Sequence, residues 1–246
     1  MNKTLQLYLA NSKAAVIFGT LLVFVALFIQ LSNVFASSGS LFFDYNLSSQ
    51  GPLMIVAEAV LLVIFLALYS AFSSIIAFSV RSEMSHVRMR FYLQEMLEKF
   101  ALRLFTFYLI LVVGLSLLGV VLIGAGVNAF AINLLFLLIT VFLLFVPQSI
   151  VVDERGLMKA LYYNFEFIFS NFPAFILVIV VSAVLLLVVP LIELYFDAFN
   201  YIGSLVSIVI VLLFVVPFIE TLKTQLYMLK FSMVKARHSF ELRQKI

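Results

Sequence analysis

From Leu104 to Val152, forty-nine consecutive residues carry no charge, and four further uncharged runs flank them. A helix needs about 20 apolar residues to cross a hydrocarbon layer ~30 Å thick, so this run alone holds enough for two crossings. Apolar residues fill about half of an average soluble domain; here they make up 65%, with a mean hydropathy of +1.23. Lipid offers no partner to a bare N–H or C=O, so each long run has to be helical. The reading is an all-α, polytopic membrane protein in which residues 1–246 form a single integral membrane domain.

Six spans are predicted, at about residues 14–35, 53–80, 102–123, 129–146, 173–195 and 201–218, paired as three helical hairpins. Pro52 stands where a helix start tolerates proline, and Gly124-Ala125-Gly126-Val127-Asn128 turns the third span into the fourth. The second span must tilt or run on past the membrane, because 28 residues reach about 42 Å. Pro190 is expected to bend the fifth.

The cations set the orientation. Lys3 and Lys13 precede the first span, and Arg81, Arg88, Arg90, Lys99 and Arg103 lie between the second and third. Arg155 and Lys159 lie between the fourth and fifth, and the remaining lysines and arginines follow the sixth, so all 15 fall on one side. The positive-inside rule then puts both termini in the cytosol and the protein in the cell membrane. The other side carries Asp44, Glu193 and Asp197. Most tyrosines fall near span ends, as an interfacial belt requires, with Tyr69 and Tyr108 as exceptions. Lys3, Lys13 and the stretch ending in Val34-Phe35-Ala36 also resemble a signal peptide, but the apolar run exceeds the usual ~7–15 residues, so an uncleaved anchor is expected.

The chain repeats weakly at an offset of 70. Leu144-Phe145-Val146-Pro147 corresponds to Phe214-Val215-Val216-Pro217, and Phe105 to Phe175. In each copy an amphipathic cytoplasmic segment feeds a hairpin, as in parallel transporter repeats. These connecting segments are predicted as interfacial helices at about 84–101 and 156–171. The first carries Met89, Leu93, Met96, Leu97, Phe100 and Leu104 at helical spacing; the second carries Leu157, Leu161, Phe165, Ile168 and Phe172. Such helices either pack on the bundle as connectors or lie in the membrane surface, where Arg88, Arg90, Lys99 and Arg103 would face lipid headgroups or a protein partner.

Little points to reaction chemistry. There is no cysteine, and His86 and His238 stand alone, so neither a thiolate nor a metal centre is expected. No phosphate-cradling glycine loop or serine-nucleophile elbow occurs. A net charge of +3 is explained by topology and gives no reason to invoke nucleic acid. Glu58 is the one carboxylate inside an apolar run, near its outer end, where it either reaches the headgroups or serves an ion or proton site. Gln30, Asn33, Glu58 and Glu193 are the residues that a polar outer vestibule would use.

Val151-Val152-Asp153-Glu154-Arg155-Gly156, with Ala160-Leu161 and then Asn171-Phe172 opening a hydrophobic span, resembles the central signature of a group of six-span prokaryotic proteins. The group includes the membrane domains attached to glycerophosphoryl diester phosphodiesterases and related families of unknown function. The resemblance implies the six-span layout, and the first loop is reminiscent of archaeal members. In the phosphodiesterases a catalytic domain follows the membrane part; here only Glu220 to Ile246 follow the sixth span, so the activity does not carry over. The expectation is a non-enzymatic membrane scaffold or accessory protein without cofactor, contacting lipids and a cytoplasmic or membrane partner. The alternative is a transporter or channel component using the vestibule near Glu58.

Overall fold

Each apolar run becomes helical, but the helix ends fall where turn chemistry, proline and glycine dictate. The computed structural model describes residues 2–30, 34–43, 51–85, 97–200 and 202–230. Helices α1 (Asn2–Ala10), α2 (Ser12–Ile17) and α3 (Leu21–Ile29) open the chain, a 3-10 turn at Phe18–Thr20 joining the last two. Strands β1 (Val34–Ser37) and β2 (Ser40–Phe43) follow, then α4 (Pro52–Ser85) and a π-helical turn at Leu97–Ala101. Next come α5 (Leu102–Gly124), α6 (Ala129–Phe142), α7 (Val146–Val152), α8 (Leu157–Ser170) and α9 (Phe172–Asn200). Finally α10 (Gly203–Ile210) passes through a π-helical turn at Val211–Val215 into α11 (Val216–Lys230).

The chain is thus helical as expected, apart from one hairpin, and five helical runs are long and apolar enough to cross a membrane, one of them Ala129–Val152, which comprises α6 and α7. Three expected boundaries are corrected. The first span was expected to reach residue 35, but its helix stops at Ile29 because Val34 and Phe35 pair with β2. Ser38 (φ 51°) and Gly39 (φ 72°) make the two-residue turn with both φ positive whose twist suits a hairpin. The fourth span is not one helix, since α6 ends before Pro147, and the sixth continues past 218 to Lys230. The expected connector at 156–171 is α8, while of that at 84–101 only Met84, Ser85 and the 97–101 turn lie within the described residues. Helix α9 contains Pro190 within its length.

Local chemistry explains the tight connections. Asn128 caps α6, its side chain accepting the Phe130 N–H at 2.8 Å. Gly203 starts α10 directly against α9: a Cβ there would collide with the Glu193 carbonyl, and its N–H donates to Asp197 Oδ1 at 2.7 Å. Only glycine permits that approach.

Burial identifies the centre. In the Gly203–Leu229 helix the most apolar 18-residue window is 56% buried, against 11–17% in the other four. Helix α11 packs on α1, α4, α7 and α9, and the helices around it turn Leu117, Val120 and Val121 of α5 or Leu187, Leu191 and Leu194 of α9 outward. Three apolar clusters hold the ring together. One joins Ala77, Phe107, Ile150 and Ala160; a second stacks Phe145, Phe167 and Tyr227; the third joins Phe18, Leu21, Ile76 and Ile208. The offset of 70 reappears in element bounds: α5 opens at Leu102 and α9 at Phe172, α7 at Val146 and α11 at Val216.

Candidate functional site

The charged and amide side chains that this apolar bundle buries gather at and behind its two Val-Pro junctions. Proline lacks an N–H and crowds the carbonyl four residues before it, so a helix cannot pass through unchanged. Before Pro147 the helix breaks outright, and Asn164 of α8 closes the break. The Phe145 N–H donates to Asn164 Oδ1 at 3.0 Å, and Asn164 Nδ2 donates to the Phe142 carbonyl at 2.7 Å. Before Pro217 the helix widens into its π turn instead. The carbonyl that residue 217 would engage in an α-helix belongs to Leu213, and the Tyr8 hydroxyl of α1 donates to it at 2.8 Å.

Behind these junctions α7 and α11 face each other with polar groups. Glu220, Lys223, Thr224 and Tyr227 recur at i, i+3, i+4 and i+7, which places them on one face of α11, and all are buried. Lys223 Nζ lies 2.6 Å from Glu220 Oε1, and Gln148 Nε2 donates to Glu220 Oε2 at 3.0 Å. Two turns further along, the Tyr227 hydroxyl donates to Asp153 Oδ2 at 2.7 Å, and Arg155 Nε pairs with the same oxygen at 3.2 Å. Gln148 Oε1, Ser149 Oγ and Gln225 Oε1 are buried without a hydrogen-bond partner among the described residues. A charge pair at this depth is stable only because both members are matched.

The loop after α7 gathers the cations. Glu154 takes a left-handed conformation, φ 57°, while Gly156 two residues later does not need one. This turn points the Glu154 carboxylate at Arg81, 3.1 Å away, and at Lys99. Arg81 also donates to the Val151 carbonyl at 2.9 Å, and Arg103 to the carbonyls of Glu154 and Arg155 at 3.3 and 3.5 Å. Burial by itself would raise the Glu154 carboxyl; the hydrogen bonds and charges of Lys99 and Arg81 outweigh it and hold it below the ordinary carboxylate range.

Of the residues singled out in sequence, Lys99 and Arg103 turn toward this loop, and Arg88, Arg90 and Asn33 lie outside the described residues. Among the described residues no hydrogen bond joins Gln30, Glu58 and Glu193 to one another. Gln30 is exposed at the end of α3, and Glu58 is half-buried on α4 with Oε1 lacking a hydrogen-bond partner. Glu193 accepts the Ser38 N–H, and Ser207 Oγ accepts the Gly39 N–H at 3.0 Å, so Glu193 anchors the hairpin. Tyr69 and Tyr108, the tyrosines away from span ends, meet edge-on at 5.3 Å between α4 and α5. Sequence reasoning missed Gln148, Asn164, Glu220 and Lys223. The signal for Glu220 and Lys223 was the polar i, i+3, i+4, i+7 pattern directly after the second Val-Pro; Gln148 and Asn164 carried none.

Compared with protein-family models, with curated proteins and with solved structures, the chain matches none. Of the signature residues, Asp153, Glu154, Arg155 and Gly156 form the loop after α7.

Proposed function

We propose that the chain is a six-span protein of the cell membrane, with both termini in the cytosol, and that it serves as a non-enzymatic scaffold or accessory subunit. The crossing beyond the five long ones is the first, the helical run from Ser12 to Ile29 that contains the apolar helix Phe18–Ile29; its 18 residues reach about 27 Å, a length that slight thinning of the bilayer accommodates. The supporting observation is how the charged groups at the cytosolic end are used. Glu154 with Arg81 and Lys99, Asp153 with Arg155 and Tyr227, and Glu220 with Lys223 and Gln148 close on one another. Such a network holds helices in place and presents no reactive group to a substrate. Two cavities of about 250 and 260 Å³ share Val25 and Ile208 and have mainly apolar walls. Single cysteines placed in this cysteine-free chain at Lys159 and Asp44 test the topology: labelling from opposite sides is expected, and labelling of residue 159 from outside refutes the orientation. Proteoliposomes of the pure protein are expected to move no more solute, and turn over no more lipid, than empty ones.

A second reading, a transporter or channel component, is favoured by one feature. Interrupted helices at corresponding positions of two repeats, with buried polar groups behind each interruption, are how transporters build substrate sites. On that reading the working residues are Glu220 and Gln148 rather than Glu58. Flux that Glu220→Gln abolishes and Glu58→Gln leaves intact would establish it in place of the scaffold.

A further inference from the structure

Two surfaces at the cytosolic end adjoin, one cationic and one apolar. Arg81, Lys99, Arg103 and Arg155 converge on a loop that offers only Asp153 and Glu154, so positive charge is in excess. Arg103 pairs with no carboxylate among the described residues. Its contacts to two carbonyls, at 3.3 and 3.5 Å, are long and use one nitrogen of the five-donor fork. The apolar surface is the outer face of α8. Ala160, Asn164, Phe167 and Ile168 turn to the bundle, whereas Met158, Tyr162, Phe165 and Phe169 form a second stripe, exposed by 78%, 68%, 39% and 75%. Between these two stripes Lys159 and Glu166 are exposed, so α8 also carries the polar face of a helix that lies in the bilayer surface. The Arg155 guanidinium stacks on the Tyr163 ring, 3.0 Å from its centroid, and Tyr163 meets Tyr162 edge-on at 5.4 Å. Cations and stripe are therefore one continuous surface. Arg103 sits in the first turn of α5, at the level where a span leaves the headgroups.

We infer that this surface binds an anionic phospholipid, the phosphate on Arg103 flanked by Lys99 and Arg155, and an acyl chain along Met158, Phe165 and Phe169. The inference rests on the membrane placement proposed above. Guanidinium groups match phosphate oxygens in pairs. The excess positive charge disfavours a zwitterionic headgroup, and a free phosphate ion has no use for the apolar half.

The test uses the full chain in mild detergent with phosphatidylglycerol, phosphatidylcholine or inorganic phosphate added, reading retained lipid by native mass spectrometry and thermal protection by melting. Phosphatidylglycerol is expected to be retained and to protect, increasingly less as salt rises, whereas the other two are not. Arg103→Ala is expected to lower retention about tenfold, as loss of a hydrogen bond to a charged group does. Arg103→Lys, which keeps the charge and loses the fork, should lower it less with melting unchanged, and Phe169→Ser should lower it without altering the salt dependence. Equal retention of both lipids, or of phosphatidylglycerol by the parent chain and Arg103→Lys and Arg103→Ala alike, overturns the assignment. Protection by inorganic phosphate equal to that by phosphatidylglycerol replaces the lipid with a free anion. Release of the chain from membranes by alkaline carbonate is a different failure, because it removes the membrane placement itself.

Discussion

Val146-Pro147 and Val216-Pro217 interrupt two helices 70 residues apart, yet the interruptions are repaired differently. At the first the helix stops, the Leu143 carbonyl is taken by the Val146 N–H at 3.1 Å, and one buried amide, Asn164, serves a donor and an acceptor of the broken backbone. At the second the helix never stops; it winds wider, and a tyrosine hydroxyl takes a single carbonyl. The difference lies in the neighbours. Helix α8 presents an amide whose separate C=O and N–H reach a backbone donor and a backbone acceptor at once, so a complete break is tolerated there, while the single hydroxyl oxygen from α1 meets one carbonyl. Proline decides where each helix yields, and the helix lying beside it decides how far.

The largest effect is expected behind the second junction. Glu220→Ala leaves the Lys223 ammonium buried and unpaired and should destabilise the protein by about 3–5 kcal/mol, measured by unfolding in detergent, whereas replacing both residues with apolar ones of similar size should cost much less. Asn164→Ala comes next, at about 2–3 kcal/mol, because it strands the buried Phe145 N–H and the partly buried Phe142 carbonyl at once. Tyr8→Phe strands one carbonyl and should cost about 1 kcal/mol. A double-mutant cycle sharpens the contrast: Pro217→Ala restores an N–H for Leu213, so Tyr8→Phe should lose most of its effect in that background. Equal effects of Tyr8→Phe with and without Pro217 would show that the hydroxyl is not repairing the proline.

The smallest effect is a pH dependence at the loop behind the first junction. The folded state holds Glu154 below its ordinary range, so the ion pairs contribute fully above the unfolded value of roughly 4.3 and are lost as pH falls through the folded one. The melting-temperature gap between the parent chain and Glu154→Gln should be constant near neutral pH and close below about pH 4. A gap that widened on acidification would contradict the assignment of Arg81 and Lys99 as its partners.

Hydropathy made the long helices legible, since in a chain this apolar only a helix satisfies its own backbone. It placed the openings of α5 and α8 within a residue, but it could not see that Val34 and Phe35, as apolar as the helix before them, fold back against β2. Nor could it rank the faces of α8. Leu157, Leu161, Phe165, Ile168 and Phe172 make a plausible inward stripe, yet Phe165 and Phe172 are exposed and Asn164 is buried in the closest packing. The seam on α11 was hidden because a carboxylate and an ammonium just beyond an apolar run read as the start of a cytosolic tail. Only the extension of α11 to Lys230, at the centre of the bundle, turns them inward.

The contact between Tyr8 and Leu213 spans 205 positions of the chain. During synthesis the hydroxyl is therefore made long before the carbonyl it serves, and hairpin-by-hairpin insertion cannot complete the structure. Until α10 and α11 have been made, α1 lacks the surface on which it docks, and its settling there is the step that ties together segments so far apart in the sequence.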